Sequence, residues 1–422
     1  MTHNTRFTLR LLPGLIGLAF AGSAAASGFQ LIEQNASGIG NAYAGSAAVA
    51  ENASTIFYNP AGMTQLQARE VSVGLSLVKP SFKYDDKGST VPPLVGGVPQ
   101  LAGDGGNGGS WAALPNAYLS WALNKDLYLG LGMGAPFGLM TEYDKNWVGA
   151  AHSVKFDIKT YNLNPSIAYR VNDRVSLGAG INFMKMDVEY TKRQILPVGG
   201  GFVSARPAKL RADDTAWGWN VGALFNLSEA TKLGLSYRSK VKQKLDGNLS
   251  VTGVTKFGAS ADVELPDTAI ISLTHKLDER WELLGDVSWT GWSSIPKVDI
   301  KNKQTKAVVQ SLDTKFDDTW RVALGANYQL NPAVKLKFGV AYDQTPVPDK
   351  EHRLVSLPDN DRMWLSFGTQ WKPNKASTLD LGVSYLYVKK TKIDNNGGAT
   401  GRIRGEFDSN VWIIGGQYSL AF

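Results

Sequence analysis

The chain has 422 residues, no Cys, 45 Gly, 12 Trp and 15 Tyr. Without Cys it has neither a disulfide scaffold, nor a structural zinc site, nor a lipoprotein-type attachment near its N-terminus. The net charge is +7, and the basic residues do not gather into one run with interleaved aromatics, which argues against nucleic acid as a partner.

The first residues read as a targeting segment. Arg6 and Arg10 precede the apolar run Leu11–Ala21, followed by Ser23-Ala24-Ala25-Ala26. A basic start, a short apolar stretch and an A-x-A site describe a cleaved signal peptide over residues 1–26, so the mature chain is expected to begin at Ser27. The run is too short for an anchor helix, and Pro13 interrupts it. Arg6 and Arg10 are the only formal charges there, so cleavage takes the net charge from +7 to +5.

Residues 27–69 differ from all that follows. Ser27–Leu66 is rich in Ala, Gly, Asn and Ser, and carries only Glu33 and Glu51 as charges. Phe29, Leu31, Ile32, Ile39, Tyr43, Val49, Ile56, Phe57, Tyr58 and Met63 all need burial, which a soluble tail does not supply. Asn59 can cap a helix whose first residue is Pro60, predicting a short helix over Ala61–Gln65. The segment reads as a hatch enclosed by the strands that follow it.

From residue 70 to 422 the apolar period is two. Val71-Val73-Leu75-Leu77, Leu127-Leu129-Leu131-Met133, Val175-Leu177-Ala179-Ile181 and Met363-Leu365-Phe367 alternate with Gly, Ser, Asn and charged residues. One face meets an apolar medium and the other meets polar groups. Short turns (Asn124-Lys125-Asp126, Asn331-Pro332) alternate with long polar connections (residues 79–113, 135–153, 191–214, 242–262, 293–315, 343–361 and 389–407). A soluble sandwich has no reason to sort its loops this way. The pattern predicts an all-β fold, an antiparallel transmembrane β-barrel of about fourteen strands, with short turns and both termini in the periplasm. No cofactor is expected, and the expected unit is a monomer among outer-membrane lipid and lipopolysaccharide. Trp412, Ile414, Tyr418, Leu420 and the terminal Phe422 share one face, like the C-terminal signal read by the barrel-assembly machinery.

Two strands break the pattern. Leu127–Met140 runs into Gly130, Gly132, Gly134, Pro136 and Gly138, with Phe137 between the last two. Pro lacks a ladder donor and Gly removes packing, so the strand either kinks inward, opening the wall, or simply ends at Pro136. Between Val154-Phe156-Ile158 and Tyr161-Leu163 the apolar phase slips, which predicts a bulge. Aromatics near strand ends, among them Trp111, Trp281, Trp292, Trp364 and Trp371, are candidates for interfacial girdles.

Catalytic signatures are missing. His3, His152, His275 and His352 have no metal-ligand spacing, and no G-x-S-x-G, H-E-x-x-H or P-loop occurs. Lys301, Lys303 and Lys306 form a small basic run suited to an outer loop or to lipopolysaccharide phosphates. A barrel-borne lipid hydrolase would need a nucleophile beside a base, and an adhesin would need no movable hatch.

Several motifs together resemble the FadL family of outer-membrane transporters for long-chain fatty acids and other hydrophobic compounds. They are SGFQL at Ser27–Leu31, Gly38-Ile39-Gly40-Asn41-Ala42-Tyr43-Ala44-Gly45, Asn59-Pro60-Ala61, Asn162-Leu163-Asn164-Pro165-Ser166, and Leu357-Pro358-Asp359-Asn360-Asp361-Arg362-Met363-Trp364. The resemblance implies fourteen strands, a hatch carrying Asn59, Pro60 and Ala61, first capture of substrate in a hydrophobic groove between outer loops, and its passage to a pocket near Phe29 and Leu31. It also implies an inward kink of the third strand at Gly132, Gly134, Pro136, Phe137 and Gly138, through which cargo leaves sideways. Where the family's fatty acid members carry a basic residue on the fifth strand, this chain has Asp187, with Lys185 and Lys192 nearby. The implied cargo is a hydrophobic small molecule: a long-chain fatty acid, or alternatively a monoaromatic hydrocarbon such as toluene.

Overall fold

The computed structural model describes residues 28–94, 100–199 and 202–422. The signal-peptide expectation falls outside those residues. The chain forms one closed antiparallel barrel of 14 strands. They are β1 (Arg69–Asp86), β2 (Ala112–Ala122), β3 (Leu127–Gly134 and Gly138–Glu142), β4 (Lys155–Arg170), β5 (Val175–Gly199), β6 (Phe202–Asn226) and β7 (Thr231–Arg238 and Val241–Val251). Then follow β8 (Thr255–Leu265 and Thr268–Lys276), β9 (Trp281–Thr290 and Lys297–Asn302), β10 (Val308–Asp313 and Thr319–Asn331), β11 (Val334–Asp343), β12 (Arg362–Trp371), β13 (Ser377–Val388 and Thr391–Asn396) and β14 (Arg402–Ala421). β14 returns to β1 in continuous register from Glu70↔Ala421 to Asp86↔Gly405. Closure satisfies backbone groups that an open edge would leave unpaired in lipid.

The alternation sorts residues by face. Val73, Leu75 and Leu77 are exposed on the outside of β1, while Ser72 and Ser76 are buried inside. Met363, Leu365 and Phe367 do the same on β12. On β5 the outward residues are Leu177, Ile181 and Phe183, then Lys185, Asp187 and Glu189. The apolar band therefore stops after Phe183, and the strand continues beyond it.

That continuation corrects the loop reading. Residues 191–214 and 242–262 are not open loops. The β5–β6 ladder runs from Val175↔Phe225 to Gly199↔Phe202, and the upper β7–β8 ladder from Val241↔Leu265 to Val251↔Thr255. Polar residues in those stretches resemble loop sequence, because a strand wall beyond the apolar band is polar on its outside. Lys185–Asp187 at 3.1 Å and Arg211–Glu189 at 2.8 Å pair along it.

The expected bulge in β4 does not occur. Pairs from Lys155↔Thr191 to Arg170↔Ser176 keep one register. Phe156 and Ile158 face inward while Tyr161 and Leu163 face outward, so the apolar phase changes because the lumen itself turns apolar there.

Residues 28–66 lie inside the barrel. They carry a 3-10 turn at Ile39–Asn41, one α-helical turn at Thr55–Tyr58 and a 3-10 helix at Pro60–Gln65. The last is tighter than the helix expected over Ala61–Gln65, but it begins at Pro60, and the Asn59 side chain accepts from the Ala61 N–H at 3.1 Å. Trp292 and Trp364 leave the girdle candidates: both are buried inward, Trp364 against Tyr43. At the long-loop end Trp147 stacks on Tyr143 at 4.4 Å and packs with Tyr84, Leu94 and Phe407, covering the mouth.

Candidate functional site

The break in β3 is an interruption, not an end. Gly134 pairs with Asn162, and Gly138 resumes against Lys159. Ala135, Pro136 and Phe137 thus oppose only Thr160 and Tyr161, so the strand bulges. β2 pairs with β3 no further than Ala117↔Met133, and its remaining residues, Ala112–Asn116, pair with β1 alone. The ladder between β2 and β3 is open above that point.

The freed backbone groups are taken up by the N-terminal segment. Leu31 N–H donates to Pro136 O at 2.8 Å, and Gly138 N–H donates to Phe29 O at 2.9 Å. The Gln34 side chain serves Ala135 twice, accepting from its N–H at 3.0 Å and donating to its O at 2.8 Å. Phe137 N–H donates to Thr160 Oγ1 at 2.9 Å, and the same hydroxyl donates to Phe137 O at 2.6 Å. A buried kink would otherwise leave these groups orphaned. Opposite β3, Gln30 reaches the far wall: its Nε2 donates to Thr268 Oγ1 at 2.9 Å, and Thr290 Oγ1 donates to its Oε1 at 3.2 Å. Phe29–Leu31 therefore spans the lumen from β3 to β8 and β9.

On the long-loop side of this span lies an apolar cavity. Phe29 forms its floor, with Trp292 at 4.9 Å and Phe137 at 6.0 Å between ring centroids. Phe156, Ile158, Met186, Val188, Tyr190, Leu210, Leu245, Val263, Ile300 and Phe316 complete the wall. These side chains present no polar surface to the cavity. Tyr190 turns its hydroxyl away, donating to His152 O and accepting from Gln310.

The structure divides the sequence-predicted residues. Phe29 lines the cavity and Phe137 packs against it from β3, and Leu31 packs beneath Gly138, where an added Cβ would come within 3.0 Å of Leu31 Cδ1. Gly132 and Gly134 lie on the short-turn side of the break, facing Tyr118 and Gln34. Asp187 is not at the cavity: it points outward beside Lys185, between inward Met186 and Val188. Lys192, one pleat beyond Tyr190 on β5, is not itself among the side chains lining the cavity. Burial pushes its ammonium down to about 8.

Asn59, Pro60 and Ala61 lie apart from the cavity. The fully buried Asn59 donates to Ala47 O at 2.7 Å and Ala223 O at 2.9 Å while capping Ala61. It ties two parts of the segment to β6. Asn59→Ala strands the buried Ala47 carbonyl and removes the tie to β6, and should loosen residues 47–66 by about 1–3 kcal/mol. Faster hydrogen exchange there, with the strands unchanged, is the expected readout.

Comparison with known proteins agrees with this architecture. The chain is similar to the crystal structure of a Pseudomonas aeruginosa FadL homologue, with TM-score 0.87 and 24% identity over 93% of this chain and 99% of that one. It is also similar to the Pseudomonas putida toluene transporter TodX, with TM-score 0.68 and 16% identity over 94% and 100% of the two chains. In sequence it is 28% identical to the long-chain fatty acid transport protein of Escherichia coli O6:H1, over 100% of both chains. The family model described as outer membrane protein transport protein (OMPP1/FadL/TodX) matches residues 17–422. The chain belongs to this family of outer-membrane transport channels, which are not enzymes.

Proposed function

We propose that the chain is a passive uptake channel for hydrophobic molecules, with long-chain fatty acids as its leading cargo. One observation carries this reading: the segment that floors the apolar cavity is the same segment that seals the break in β3. Residues 27–69 act as a hatch and residues 70–422 as the barrel. Cargo rests against Phe29, the hatch strand withdraws from Pro136–Gly138, and cargo leaves sideways between β2 and β3 into the membrane. Its apolar surface then never meets bulk water, so no energy source is needed.

The short-turn end and both termini face the periplasm. The charged wall above the band lies among lipopolysaccharide, and the basic loop at Lys301, Lys303 and Lys306 faces outward. Phe422, exposed beside Trp121, is the handle for the barrel-assembly machinery, and the unit is a monomer.

The fatty acid reading rests on full-length identity to a fatty acid transporter and on Lys192. Below pH 8 a charged Lys192 attracts a carboxylate at the cavity's outer end, and this attraction is lost as pH rises through about 8. The absence of polar surface in the cavity favours the second reading, a neutral monoaromatic hydrocarbon such as toluene. Competition of laurate against toluene on purified protein separates them. Laurate binding should fall about tenfold between pH 7 and pH 9, as Lys192 loses its proton, while toluene binding stays constant. Lys192→Met should flatten the laurate profile. Stronger binding of toluene than laurate at pH 7 would overturn the fatty acid assignment.

A further inference from the structure

On the short-turn side of the Phe29–Leu31 span lies a second internal space. Its character is different. Leu31, Ile32, Phe57 and Ile270 line one part, and Ser236, Thr268, Thr290 and the guanidinium of Arg238 line another. Arg321 and Asp343 close the end farthest from Arg238, on β10 and β11.

Arg238 is the unusual group. Its Nη2 donates to Phe57 O at 2.8 Å, its Nη1 donates to Asn182 Oδ1, and its Cζ lies 4.1 Å from the centre of the Phe57 ring. Each of these acceptors is neutral. Among the described residues no carboxylate oxygen lies within 4.0 Å of it. Other cations facing the lumen are treated differently: Lys337 bonds to Asp380 at 3.0 Å, Arg362 pairs with Asp359, and Arg321 lies 3.7 Å from Asp286. A guanidinium taken out of bulk water with no counter-charge is costly, and charges at membrane depth mark ligand pathways when they face an enclosed space. Arg238 keeps its remaining accessible surface towards this space, because residues 234, 236 and 238 share the inward face of β7.

We propose that Arg238 is the head-group site of a second binding station, one that takes the carboxylate of an amphiphile. The guanidinium offers a planar pair of donors to the carboxylate. The neighbouring hydroxyls of Ser236 and Thr268 supply further donors, and the apolar part of the ligand lies along Ile32, Phe57 and Ile270. A neutral ligand gains no charge pairing from Arg238, so the station favours an acid over a hydrocarbon. This inference rests on the reading of the chain as a carrier of apolar molecules.

Equilibrium dialysis tests it, with purified full-length protein in amphipol and labelled decanoate and decan-1-ol as probes. The wild-type protein should bind one more decanoate than decanol per chain. Arg238→Met should lose that extra decanoate and keep its decanol, and Arg238→Lys should regain part of the decanoate binding. Equal numbers of decanoate and decanol on the wild-type protein, a comparison that needs no variant, would overturn the proposal, as would an unchanged decanoate count in Arg238→Met. Failure of the wild-type protein to bind decanol at all would instead count against the transport reading itself.

Discussion

Cysteines placed at Gln30 and Phe137 and oxidised to a disulfide should cut uptake of a hydrophobic substrate at least about tenfold, because locking one state removes the competing conformation from the population. Reduction should restore the rate. The two residues form an antiparallel bridge flanked by Leu31 N–H to Pro136 O and Gly138 N–H to Phe29 O. Those flanking bonds make Gln30 and Phe137 a non-hydrogen-bonded pair, whose Cα atoms lie about 4.5 Å apart, within the span of a disulfide. The chain has no Cys of its own, so no other pairing competes. Both substitutions also alter the cavity region, and for that reason the comparison is made between the oxidised and reduced forms of one protein, with each single cysteine variant beside it. If oxidised and reduced protein transport equally well, the N-terminal strand does not leave β3 and the sideways route fails. A fully structural role for Gln30 would lower both forms together and leave their ratio at one.

Much of this architecture was legible because it rests on short-range chemistry. The alternation of Val71-Val73-Leu75-Leu77 against Ser72, Gly74 and Ser76 states both the strand and its faces, and the alternating short and long connections state the barrel. Asn59 before Pro60 announced a cap. The cavity was harder to see, because its residues lie on nine different elements and none of them is chemically distinctive. A signal was nonetheless present. On β5 the apolar residues change from the odd positions Ile181 and Phe183 to the even positions Met184, Met186, Val188 and Tyr190, and on β4 Ile158 and Leu163 differ in the same way. A strand that changes its apolar phase without a bulge has passed from facing lipid to facing an apolar lumen. Read as a bulge, the change pointed to a defect in the wall instead of a binding site. Gln30, Gln34 and Thr160 were not visible as partners of the kink, since their bonds join parts of the chain about a hundred residues or more apart or depend on a strand that had first to be interrupted. Asp187 illustrates the opposite error: a position matched by alignment along a strand lands on the wrong face with a shift of one residue.

The inner wall holds a further pattern, which yields the second large prediction. Glycines pair across neighbouring strands at Gly178↔Gly222, Gly325↔Gly339, Gly368↔Gly382 and Gly382↔Gly415. Gly weakens a strand, so these pairs are costly for a barrel considered alone. They make sense against the backbone of residues 28–66. A Cβ on Gly368 would come within 2.8 Å of the Cα of Gly40, and a Cβ on Gly222 would lie well inside contact distance of Asn59 Oδ1. Val at position 222 suits the strand, yet its side chain occupies the place of the Asn59 amide. Gly222→Val should therefore leave the barrel folded and unseat the enclosed segment. Overpacking of this kind costs about 1–3 kcal/mol, which shifts the seated equilibrium by about five- to 150-fold. The expected result is a leak of small hydrophilic solutes about tenfold above wild type in a liposome-swelling assay. Gly416→Val is the control, because Gly416 faces outward with Leu381 Cδ2 as the nearest atom, 3.3 Å from an added Cβ. A tight barrel in Gly222→Val, or an equal leak in both variants, would show that the glycine pairs do not seat the segment. A leak confined to Gly222→Val would make the inner glycines the lock of the channel, with Asn59 as the side chain that fits it.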